Sequence, residues 1–148
     1  MQHKEQVIKV LRKFKEMNPW SGKIKERKAK FLWLNSELNK IYGKNVRLNF
    51  DIANRFSEWT FSGDSFYRPI TDTIVLKGRL SVVTFLHEWM HVLYGSSEML
   101  AQKYSKALFK EVWPEKYRNL VETRSGMLVK REVFEKSDFI VENVELLE

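Results

Sequence analysis

The sequence predicts an α+β fold, and three observations carry that expectation. The N-terminal third repeats its apolar residues with helical spacing, two short runs alternate as strands do, and residues 80–94 are apolar on nearly every side. The same reading makes residues 1–148 one domain. Basic helices occupy 1–43, a core 44–112, and a C-terminal helix and tail 113–148.

Each element follows from local pattern. Val7, Val10, Leu11 and Phe14 recur at i, i+3, i+4 and i+7, so residues 4–17 form a one-sided helix with lysines on its outer face. Asn18-Pro19 stops it, because the residue before proline is pushed out of helical geometry. A second helix is expected from near Ser21 to Tyr42, with Phe31, Leu34, Leu38 and Ile41 as its stripe and Gly43 as its C-terminal cap. Val46 to Phe50 alternates as a strand. Residues 51–69 mix Asn, Ser, Gly and Pro with aromatics and read as a loop or a loosely paired hairpin. Asp72 to Leu76 is a second strand, ended by Gly78.

From Leu80 to Tyr94 almost no polar face remains, so this helix belongs in the centre of the domain. Gly95-Ser96-Ser97 breaks it, and a further helix is expected from about Ser97 to Val112. Pro114 opens another segment, helical to about Arg124. The last ~20 residues alternate charge and aliphatic character and fit strand, helix or tail equally.

Composition narrows the chemistry. Hydrophobic residues make up 43% of the 148, enough for a sizeable core. No apolar run approaches the ~20 residues that span a bilayer, and no secretory apolar region follows the charged start, so a cytoplasmic protein without membrane attachment is expected. Cysteine is absent, which excludes disulfides, thiol nucleophiles and Cys-based zinc sites. Any metal must be held by His, Asp or Glu. The net charge is +7, concentrated before residue 50 in Lys4, Lys9, Arg12, Lys13, Lys15, Lys23, Lys25, Arg27, Lys28 and Lys30. Such helices suit a solvated face first, and nucleic acid as a partner second.

The informative segment is His87-Glu88-Trp89-Met90-His91. Histidines at i and i+4 project from one side of a helix and can share a tetrahedral ion at ~2.0–2.1 Å. Glu88 then lies beside the ion's open position, where it can take a proton from a water that the ion acidifies. Burying two imidazoles and a carboxylate in so apolar a helix is costly unless something pairs them. His-Glu-x-x-His is the signature of the zincin metallopeptidases, which this chain resembles here. The resemblance implies a bound Zn2+, a peptide or protein substrate, and Glu88 as catalytic base. It spans roughly residues 70–108.

A catalytic site needs a third protein ligand. His3 is remote in sequence. The metzincin extension would require glycine at 94 and histidine at 97, where this chain has Tyr94 and Ser97. A glutamate remains, which places the chain nearest the gluzincins. Glu98 follows a short turn after His91, and Ser97-Glu98-x-x-Ala101 looks like the second-helix pattern of short-spacer zincins. Ala101 and Ser105 offer a small-residue face for close packing. Glu111 has the longer spacing of thermolysin-like gluzincins, but lies ~20 Å along the helix at 1.5 Å per residue. Glu98 is preferred, and Glu111 stays open.

In zincins an edge strand beside the active-site helix pairs with the substrate, and the resemblance assigns that role to Thr73, Ile74 and Val75. Tyr94 is the first candidate to stabilise the oxyanion, with Tyr67, Arg68 and Tyr104 behind it. The expected architecture is a minimal zincin-like domain: N-terminal helices, a small mostly antiparallel sheet, the central motif helix and a returning helix. Some small zincins are self-inhibited, so a C-terminal segment carrying Glu142, Glu145 and Glu148 is a candidate to fill the cleft. The competing expectation is a basic nucleic-acid-binding or regulatory module of zincin-like fold, inactive or using metal structurally.

Overall fold

Val7, Leu11 and Phe14 fall on one side of helix α1 (Lys4–Glu16) and are all buried, as their spacing requires. The computed structural model describes residues 1–51, 65–123, 128–131 and 144–146. After α1 the chain reverses through Asn18, whose φ of 55° is a left-handed conformation that asparagine tolerates better than most residues. Helix α2 (Ile24–Tyr42) begins three residues later than Ser21, because Ser21 is tied back into this turn through the Asn18 carbonyl. Gly43, at φ 61°, ends α2 as expected.

Three helices meet through aromatic rings. Phe14 of α1 and Phe31 of α2 pack edge to face with centroids 5.3 Å apart. Phe31 in turn meets Phe85, 5.7 Å away on helix α3 (Val82–Tyr94), in the same geometry. Two of the N-terminal cations are structural rather than free surface charge. Arg27 donates from Nε to the Pro19 carbonyl at 2.9 Å and from Nη2 to the Leu80 carbonyl at 3.3 Å. Lys30 donates to the carbonyls of Asn18 and Ser21 at 2.9 and 3.1 Å.

The sheet beneath α3 has strands β1 (Arg47–Asp51), β2 (Phe66–Arg68) and β3 (Thr73–Lys77) in the order β1-β3-β2. β1 runs parallel to β3, with Arg47 opposite Thr73 and Asp51 opposite Lys77. β2 runs antiparallel to β3, with Phe66 opposite Val75 and Arg68 opposite Thr73. Ile74 and Leu76 of the central strand are fully buried. This overturns one expectation. Thr73, Ile74 and Val75 do not form an edge: both of their hydrogen-bonding sides are taken, and no peptide can pair with them by strand addition.

Ser81 caps α3 by accepting the Thr84 amide at 3.2 Å. The helix buries Val82, Phe85, Leu86, Trp89 and Met90, in keeping with its apolar sequence. Helix α4 (Glu98–Val112) follows, started by Ser97, whose Oγ accepts the Leu100 amide at 3.2 Å.

The chain groups into two compact units, Met1–Leu108 and Phe109–Glu148. In the second, Phe109 and Trp113 stack at 5.3 Å, and a short helix α5 (Pro114–Arg118) leads into strands β4 (Leu120–Thr123), β5 (Leu128–Lys130) and β6 (Val144–Leu146). Their order is β5-β4-β6, all antiparallel. The helix expected to reach Arg124 therefore stops at Arg118. Leu120-Val121-Glu122-Thr123 alternates and is rich in β-branched residues, and sheet pairing claims it. Of the proposed cleft-filling glutamates, Glu145 is on β6, whereas Glu142 and Glu148 lie outside the described residues.

The architecture is thus α+β, and among the described residues three of the four strand pairings are antiparallel. Among the described residues, no helix is long and apolar enough to cross a membrane.

Candidate metal centre

Helical spacing puts His87 and His91 one turn apart on α3, and their rings meet edge to face with centroids 4.9 Å apart. Their Nε2 atoms are 3.2 Å from each other. Ligating atoms of His87, Glu88 and His91 all lie within 4.8 Å of one another, and Glu88 is buried to 6% exposure. A second carboxylate comes closer. Glu98, the first residue of α4, sets Oε1 2.7 Å from His91 Nε2 and Oε2 3.1 Å from His87 Nε2. Two carboxylates thus lie near the imidazoles: Glu98 bridges both nitrogens, and Glu88 has a carboxylate oxygen within 4.8 Å of them. Glu111, the other expected candidate for third ligand, is an exposed residue on the last turn of α4.

Proton bookkeeping constrains this cluster. A carbonyl cannot donate, so the 2.7 Å contact between His91 Nδ1 and the Gly95 carbonyl fixes a proton on Nδ1. In a neutral ring Nε2 then carries a lone pair, aimed at a carboxylate oxygen. With both rings neutral, two imidazole nitrogens and two carboxylate oxygens converge with more acceptors than donors, an arrangement that suits a bound cation. Burial holds the His87 imidazole below its ordinary value of 6.5, against the pull of the Glu98 carboxylate. The His91 ring and the Lys106 ammonium push in the same direction as burial. His87 is therefore kept neutral, the form in which imidazole ligates metal.

The donor spacing also suits a tetrahedral ion. Ligand bonds of ~2.0–2.1 Å imply donor atoms roughly 3.3 Å apart, and the observed separations are 2.7, 3.1 and 3.2 Å. Two imidazoles and a carboxylate are a chemically sound set for zinc.

The chain matches nothing among known protein families, curated proteins or solved structures. The site therefore stands on its own geometry.

The remaining expected residues are placed as follows. Tyr94 packs its ring on Tyr104 of α4, with centroids 4.9 Å apart. Tyr67 donates to Asp72 Oδ1 at 2.7 Å; burial first, then this carboxylate, pushes its phenol up to about 12. Arg68 is exposed on β2 with its guanidinium 4.8 Å from the Phe66 ring centroid. His3 sits against Tyr42, 5.5 Å between centroids, and takes no part.

Three residues at or behind the site were not singled out from sequence. Gly95 reads as a helix breaker, and nothing in the sequence says where its carbonyl points. Lys106 reads as a surface lysine. Asn35 looks like any polar residue within α2, yet it is buried and accepts the Trp89 indole N–H at 2.9 Å, fixing the motif helix from behind. A polar residue falling between Leu34 and Leu38 was the only available hint.

A surface groove lies away from this chemistry. Open and of about 450 Å³, it runs between α1 and α2 and is lined by His3, Gln6, Lys9, Val10, Lys13, Lys40 and Ile41. It holds cations but no nucleophile or carboxylate, so its size does not make it the reactive site.

Proposed function

We propose that the chain is a zinc-dependent peptidase of the gluzincin kind, with His87, His91 and Glu98 as metal ligands and Glu88 as general base. One observation carries this reading: acceptor atoms converge from two histidines and Glu98 while the only proton fixed on His91 is committed elsewhere, to Gly95. A bound zinc ion would supply Lewis acidity, polarising a substrate carbonyl and acidifying water.

The chain's own residues do the rest. His87 is held neutral by burial, and His91 is oriented by Gly95. Glu98 brings a negative charge that balances the cation. Glu88, buried beside the imidazoles, takes a proton from the attacking water and passes it to the leaving amine. Its burial favours this role, because a carboxylate shielded from bulk water exchanges protons with the reacting groups rather than with solvent. β2 replaces Thr73–Val75 as the strand that would pair with an extended peptide: among the described residues it is an outer strand of the sheet, and it lies next to α3.

The deciding experiment measures zinc content and peptidase turnover of the wild type beside Glu88→Gln, Glu98→Ala and Glu111→Ala. The reading expects Glu88→Gln to keep zinc and lose turnover by 10²-fold or more. Glu98→Ala should lose zinc, and Glu111→Ala should keep both. A wild type that takes up no zinc would end the proposal.

A second reading rests on the groove between α1 and α2, where Lys9, Lys13 and Lys40 gather. This surface would suit the phosphate backbone of a nucleic acid. Binding to an oligonucleotide that weakens steeply from 50 to 200 mM salt, and is lost in Lys9→Glu/Lys13→Glu, would favour it.

A further inference from the structure

Gly95 is the C-terminal cap of α3 and has φ 77° and ψ −150°. That region is open to glycine and essentially closed to L-residues with a side chain, whatever the surrounding space. Space is in fact free: a Cβ added here would meet nothing within 4 Å. Packing therefore gives no reason for glycine at this position, and the backbone conformation does.

The conformation has two visible results. The Gly95 amide closes the helix on the His91 carbonyl at 2.9 Å, and the Gly95 carbonyl turns back to accept His91 Nδ1–H at 2.7 Å. Within the same short turn, Ser97 caps α4 and puts Glu98 at its first position. A turn of three residues thus orients one imidazole and delivers the carboxylate that meets it.

We infer that Gly95 is a positioning residue for the metal centre: its left-handed backbone sets His91 in the tautomer that presents Nε2, and no L-amino acid can take its place there. This rests on the metal-site reading above. The physical reason is that a ligating histidine is held by whatever accepts its other ring proton, and that acceptor governs both ring orientation and basicity. Here the acceptor is a main-chain carbonyl, so its direction depends on φ and ψ at residue 95 and on no side chain. An L-alanine there would relax to negative φ and swing the carbonyl off the ring.

The test compares wild type, Gly95→Ala and the same substitution made with D-alanine by semisynthesis, since a D-residue favours positive φ. Zinc affinity is measured by chelator competition. The His91 tautomer is read by ¹⁵N–¹H NMR of the imidazole nitrogens in metal-free protein. Gly95→Ala should weaken zinc binding by 10- to 100-fold and shift His91 away from the Nδ1–H form, and the D-alanine protein should restore both. Unchanged affinity and tautomer in Gly95→Ala would overturn the inference. So would wild-type His91 found as the Nε2–H tautomer, a measurement that needs no variant to fold. Failure of the wild type to bind zinc would instead strike the underlying metal-site reading, while the tautomer result would still report on Gly95.

Discussion

Helix α3 carries polar side chains on two opposite sides, and the protein finishes them differently. On one side Trp89 donates to Asn35 Oδ1, Asn35 Nδ2 donates to the Val46 carbonyl at 2.9 Å, and Asn39 pairs with both the amide and the carbonyl of Val46. The donors and acceptors named there find each other inside the protein, and Trp89 is fully buried. On the other side, with both rings neutral, His87, His91 and Glu98 bring together more acceptors than donors, and the Glu98 carboxylate stays open to solvent. A closed network of this kind contributes stability and a unique packing, whereas an open one stores a demand for a cation. The two sides should therefore respond to mutation in opposite ways.

The largest effect is expected on the closed side. Trp89→Ala removes a fully buried indole and strands the Asn35 acceptor, and should cost about 3–5 kcal/mol in urea unfolding of the metal-free protein. Next comes the open side with zinc present. At a free zinc concentration 100 times its dissociation constant, the wild type should gain about 2.7 kcal/mol, and His91→Ala or Glu98→Ala should gain none. Equal stabilisation of wild type and variants would break the comparison. Asn35→Leu should cost about 1–3 kcal/mol by leaving the buried indole N–H without its acceptor, while Asn39 still serves the Val46 carbonyl, and without touching zinc affinity per folded molecule.

The smallest effects sharpen the contrast through pH. Tyr42 stacks on Trp89 at 6.2 Å, and burial first, then Tyr94, pushes its phenol up to about 12. Its contribution to stability is complete below pH 10. It is lost as pH rises towards 12, because there the unfolded chain releases a proton that the folded one keeps. Tyrosinate absorbance followed alongside unfolding should show this. His87 runs the other way. Its folded value is lowered by burial, so its contribution is complete above 6.5 and is lost as pH falls through the folded value. Metal-free protein should therefore weaken in mild acid, and His87→Ala should flatten that slope. In neutral metal-free protein, Glu98→Gln should move stability by no more than about 0.5 kcal/mol, its side chain being 66% exposed.

What could be read from sequence followed the range of each interaction. Helical periodicity exposed α1, α2 and α3, because the residues that share a face lie within a few positions of one another. The pairing of His87 with His91 is likewise local. The approach of Glu98 was legible because only a short turn intervenes. Sheet order is not: alternation at 46–50 and 72–76 identifies strands but carries no information about neighbours, and β1 and β2 flank Thr73–Val75 where the sequence alone suggests an edge. Tyr94 shows a related limit: its spacing from His91 is local, whereas its ring contact with Tyr104 of α4 is not written in that spacing. Leu120–Thr123 were read as helix because pairing with β5 and β6, which claims them, is non-local.

The order β1-β3-β2 has a consequence for biosynthesis. Among the described residues of the first sheet, β1 and β2 are joined through β3, which emerges from the ribosome after both. The two earlier strands must wait, with their inner backbone groups solvated, until residue 77 is available. Leu80 follows at once, carrying the carbonyl that Arg27 of α2 holds. Assembly of the sheet and seating of the histidine-bearing helix thus become one late event in the growing chain.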